Sequence, residues 1–123
     1  MIKKTSKIFF YVAALASVVA LFIHAKGFFY PTELTPAWRH ALFVFINIIC
    51  IYGFLKRPKW FIWFVVILTL QQCFSHGSYA LHLWQAENKI HWISVCDVIF
   101  LPVLVCLLFI ERKTKSLTNS VHS

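Results

Sequence analysis

Four long apolar runs divide the chain, separated by short stretches rich in charge, glycine and proline. They cover residues 8–25, 36–55, 58–76 and 90–110. Wound as an α-helix, the shortest of them reaches ~27 Å, close to the thickness of a bilayer's hydrocarbon core. The breaks carry helix punctuation. Thr35 precedes Pro36 at the head of the second run, the order expected of an N-cap followed by proline at the first helical position. Pro58 opens the third run in the same way. Gly77 either ends that run or lets it continue as an interfacial turn towards Trp84. Pro102 lies inside the fourth run, where its missing N–H frees a carbonyl one turn earlier and predicts a kink. The expected fold is therefore all-α: an integral membrane four-helix bundle, up-down-up-down, forming one domain over residues 1–110. Residues 111–123 are polar and basic at their start, and are expected to form a disordered cytoplasmic tail.

Composition agrees with a lipid environment. The chain of 123 residues is 60% apolar and only 13% charged, where a soluble domain is about 25% charged. So small a domain buries too little of its surface to hide that much apolar side chain from water. The basic first residues before an apolar run resemble a signal peptide. The run is long for one, and no small-x-small cleavage site follows, so it reads as a retained helix.

The net charge of +8 changes the picture only through its distribution. Lys3, Lys4 and Lys7, then Lys56, Arg57 and Lys59, then Arg112, Lys113 and Lys115 cluster at the ends of spans. That is the arrangement of cytoplasmic flanks and disfavours a nucleic-acid partner. Only Lys26, Arg39 and Lys89 fall on the other side, so both termini are expected inside, in a plasma (inner) membrane. Trp60 and Trp63 suit the inner interface, and Trp38, Trp84 and Trp92 the outer. Cys50, Cys73, Cys96 and Cys106 form no C-x-x-C pair, which disfavours disulfide exchange and leaves them as small buried apolar residues.

Polar residues inside spans carry the functional information, because ionisable groups in a membrane are costly and usually face a cavity or a partner. At helical spacing the first span aligns Ala13, Ser17, Ala20 and His24, a small-residue packing face ending in a histidine. The second places His40 and Asn47 on one side, with Arg39 beside them. The third carries Gln72 and His76 at i and i+4, and the fourth His91, Ser94 and Asp97 at steps of three. All lie in the outer half of their spans. His40, His76 and Asp97 are expected to converge there, with Gln72 in the wall and His24 at the mouth. His82 and His91 read as interfacial histidines, Asn47 and Gln72 as interhelical glue, and Arg39 as a snorkelling cation or a structural partner of Asp97.

Such a set suits three chemistries. His24, His40, His76 and Asp97 have the donor types for a divalent metal. Two facing histidines suit a haem. Histidine with aspartate suits proton relay, or a small polar or redox ligand, with His40, Gln72, His76, Asp97 and Arg39 as its contacts. No H-E-x-x-H and no G-x-S-x-G motif is present to select a reaction. The competing class is an accessory or assembly subunit that packs on a larger membrane protein or on its own copy.

Overall fold

The computed structural model describes residues 2–32 and 36–121. It is all-helical: α1 is Ile2–Phe29, α2 Ala37–Lys56, α3 Phe61–Glu87 and α4 Trp92–Val121. Within these, Lys4–Phe29, Ala37–Lys56, Phe61–Glu87 and Trp92–Thr114 are each long and apolar enough to cross a membrane. Large apolar side chains such as Phe22, Phe45, Ile67, Leu70, Phe74 and Ile99 stand exposed on the helices, as lipid rather than water allows. The chain divides into two compact units, Met1–Pro58 and Lys59–Ser123, each a helical hairpin.

The first hairpin packs α1 on α2. The buried side of α1 is Ser6, Phe10, Ala13, Ala14 and Ser17; that of α2 is Asn47, Cys50, Gly53 and Phe54. Ala13 and Ser17 belong to the small-residue face expected from their spacing, and Val19 on the other side is exposed. Phe10 stacks on Phe54 at 6.5 Å, while His24 meets His40, so the two helices run in opposite directions. The Arg57 guanidinium lies 5.3 Å from the centre of the Phe10 ring, a cation–π contact that closes the end of this hairpin. Ser17 Oγ donates to the Ala13 carbonyl at 2.9 Å, and Asn47 Nδ2 to that of Phe43 at 2.7 Å. Asn47 therefore satisfies its amide along its own helix instead of acting as glue between helices.

The second hairpin packs α3 on α4, burying Phe61, Ile62, Val65 and Thr69 with Ser94, Leu104 and Leu108. Pro102 sits inside α4 and cannot donate to the Val98 carbonyl four residues back. The Cys73 thiol of α3 reaches that same carbonyl at 3.9 Å, the long contact typical of sulfur. Cys73 thus has a specific task, and of the other thiols only Cys50 is buried, while Cys96 and Cys106 are exposed on α4. All four cysteines are free.

The helix ends depart from the expected ones: α1 overruns 8–25 at both ends, α4 starts at Trp92 instead of Ile90, and four further ends shift for identifiable reasons. Pro36 occupies the N-cap, in extended conformation, and α2 starts one residue later at Ala37. Thr35 lies outside the described residues. Pro58 is followed by a turn, so that Trp60 caps α3 and Phe61 begins it. Gly77 does not stop α3, which continues to Glu87 through Tyr79–Trp84, a stretch with no residue that breaks a helix. A single interior glycine costs a helix only about 1 kcal/mol, and flanking turns outweigh it. What ends α3 is Asn88 in the left-handed region, φ 51°, with Asn88 N–H bonded to Trp84 and Lys89 N–H to Leu83. That is a Schellman stop, and asparagine tolerates its backbone. Lastly, α4 runs past Ile110 to Val121. The polar residues 111–116 contain good helix formers and no glycine or proline, and Thr114 Oγ1 bonds back to Ile110 at 2.9 Å.

Candidate functional site

Each hairpin gathers polar side chains next to its connecting loop. In the first, His24 comes from the last turns of α1 and His40 from the first turn of α2. Their Nδ1 atoms stand 3.1 Å apart. Two bare lone pairs at that distance repel, so one ring donates and the other accepts, and the pair holds one proton between them. His24 also stacks on Phe43, with ring centres 4.9 Å apart and planes 15° from parallel. His40 has its place only because residue 27 is glycine. A Cβ there would lie 2.6 Å from His40 Nδ1 and 2.7 Å from Nε2. Arg39, on the next side of α2, is exposed. The histidines turn their nitrogens towards each other in hydrogen-bond contact, which leaves no room for a haem between them.

The second hairpin carries the longer arrangement. Ser94 is fully buried at the start of α4, and its Oγ lies 2.9 Å from His76 Nδ1 on α3. The same oxygen is 2.8 Å from His91 Nδ1. Beyond it, His76 Nε2 faces Asp97 Oδ2 at 3.8 Å, with both side chains partly exposed. Spacing explains why these residues meet. Ser94 and Asp97 are three apart on one face of α4, and His76 projects from α3 opposite both. One turn and two turns before His76 on α3 lie Gln72 and Thr69, whose Oε1 and Oγ1 are buried without a hydrogen-bond partner among the described residues.

His91 was expected to be a solvated interfacial residue, and here the structure differs. Its carbonyl accepts the first helical bond of α4, from Val95 at 3.1 Å, and its Nδ1 accepts the Ser94 N–H at 3.3 Å. His91 is therefore the N-cap of α4, doing with an imidazole what serine or aspartate usually does. Tyr79 of α3 packs edge-on against its ring at 5.1 Å. The apolar run, read from residue 90, placed His91 inside the helix, and imidazole is an uncommon cap, so little in the sequence pointed to this role. His82 is exposed, as expected of an interfacial residue.

Of the residues singled out from sequence, the structure brings His24 to His40, and His76 to Asp97. Ser94 and His91 join the second pair, and Gln72 lies one turn away on the His76 face. Among the described residues, no group of three or more histidines, cysteines and carboxylates is placed to hold a metal ion. The divalent-metal reading of His24, His40, His76 and Asp97 is left without structural support. Comparison with protein-family models, with curated proteins and with solved structures gives no match.

Proposed function

We propose that this chain is an integral membrane protein that relays protons through the loop end of its second hairpin. The observation that carries the reading is the unbroken contact from His76 through the Ser94 hydroxyl to His91, with Asp97 within 3.8 Å of its head. Imidazole and hydroxyl can each accept a proton on one side and give one up on the other. Asp97 can load the chain directly after a small side-chain movement, or through one water. Gln72 Oε1, a buried acceptor one turn below His76, is suited to hold that water or a small polar ligand. The proton shared by His24 and His40 makes the first hairpin a second place where a proton can be held.

In this reading four spans cross the plasma membrane in up-down-up-down order. The nine cations of the N-terminus, the 56–59 loop and the tail stay inside, and the polar ends of both hairpins lie outside. The assay is proton flux into liposomes holding the purified protein, under an imposed pH gradient. Asp97→Asn and His76→Ala should each lower flux on the order of a hundredfold, the usual worth of a positioned acid or base. Unchanged flux in both variants, with stoichiometric co-purification of another membrane protein, would instead favour the accessory-subunit reading.

A further inference from the structure

The contacts in the second hairpin also fix which way its hydrogen bonds point. His91 Nδ1 accepts the Ser94 backbone N–H, so in the resting chain that nitrogen carries no proton of its own. Ser94 Oγ, 2.8 Å from the same nitrogen, must then donate its single hydrogen to it. With that hydrogen spent, Oγ can only accept from His76 Nδ1 at 2.9 Å, so His76 carries a proton on Nδ1. The far nitrogen of His76, Nε2, faces the Asp97 carboxylate at 3.8 Å. The helix cap thus sets the proton positions at His91 Nδ1, Ser94 Oγ and His76 Nδ1, and leaves His76 Nε2 as the position that takes a proton from Asp97.

We propose that the relay is directional, with Asp97 as its loading end, His91 as its accepting end, and the α4 cap as the device that sets the direction. The proposal rests on the relay reading. A proton on Asp97 moves to His76 Nε2, breaking an O–H and forming an N–H bond. His76 then gives its Nδ1 proton to Ser94 Oγ, while the original Ser94 hydroxyl proton passes to His91 Nδ1. One proton has entered and one positive charge now rests on His91; Ser94 has lost and regained a hydrogen. A protonated Nδ1 can no longer accept the Ser94 N–H, so each transfer releases the side-chain cap of α4. His91 passes a proton on from Nε2, the nitrogen away from Ser94. The cap re-forms, and a second proton can enter, only once the remaining His91 proton has moved from Nδ1 to Nε2 and that of His76 back to Nδ1. His91 acts here as a carrier and as a positioning residue at once, and Tyr79 is the aromatic neighbour that holds its ring.

The test is nitrogen NMR of the full chain in lipid nanodiscs with ¹⁵N-labelled histidine, assigned by single His→Gln variants. Expected are a bare Nδ1 and protonated Nε2 on His91, and a protonated Nδ1 on His76. Ser94→Ala keeps the backbone cap bond, so it should leave His91 unchanged while releasing His76 from its Nδ1 preference. A neutral His91 with its proton on Nδ1 overturns the proposal. So does a His91 whose tautomer changes in Ser94→Ala, because the cap would then not be what sets it. These readings are taken at rest and do not depend on flux, so loss of the relay reading alone leaves its own signature: correct tautomers with no proton transfer.

Discussion

Gly27 and Gly77 make the clearest pair of opposites at the scale of single residues. A methyl group at Gly27 would enter the His40 ring, whereas at Gly77 it would meet only Val98 Cγ2 at 4.0 Å. Gly27→Ala should destabilise the first hairpin by roughly 1–3 kcal/mol and break the His24–His40 contact. Gly77→Ala should be neutral, or stabilise by up to about 1 kcal/mol through helix propensity. Thermal unfolding in mild detergent separates the two, and equal effects would show that His40 does not occupy the space above Gly27. Residues of this kind were only partly legible beforehand. His24, His40, His76 and Asp97 stood out because ionisable groups are rare in apolar runs. The two partners that organise them did not stand out. Ser94 is a common small residue, and its importance comes from two imidazoles approaching it in three dimensions. Cys73 likewise looked like an apolar filler until the carbonyl freed by Pro102 was found beside it.

Among the helices, the apolar runs were readable and their ends were not. Length and hydropathy decide a span over some twenty side chains, so single misreadings average out. A helix end is decided by one backbone conformation, and glycine is only one of the residues that provide it. Asn88 ends α3 where Gly77 was a candidate, moving the connecting turn to a few residues before α4. Asn88→Val should therefore fray α3 and cost roughly 1–2 kcal/mol, because a β-branched residue fits the left-handed region poorly. Asn88→Gly should be tolerated, and helix content by circular dichroism with thermal unfolding checks both. Packing faces were more legible than ends. Ser17 is buried against α2 and Val19 is 53% exposed, so Ser17→Leu should destabilise by roughly 1–3 kcal/mol through overpacking. Val19→Leu on the outer face should be nearly silent.

Across the whole molecule, charge and hydropathy work together. Four apolar helices require lipid, and the cations at their ends give the proposed orientation. With the native cysteines replaced, single cysteines at residues 57 and 113 should react only from the cytoplasmic side, and those at 30 and 88 only from the other. Outside labelling of residue 113 would overturn the four-span topology. Under the proposed topology His91 lies at the outer end of a span and Asp97 deeper within it, which is what gives the polar chain its meaning. A hydroxyl fully shielded from solvent then links the two titratable rings. Proton flux in liposomes, compared between the native chain and Ser94→Ala at equal protein incorporation and equal helix content, tests that link most directly. Removing one oxygen should lower flux by roughly tenfold or more, since proton transfer needs an acceptor within hydrogen-bond reach. Flux that persists at the native rate without the Ser94 hydroxyl would contradict a relay through this chain.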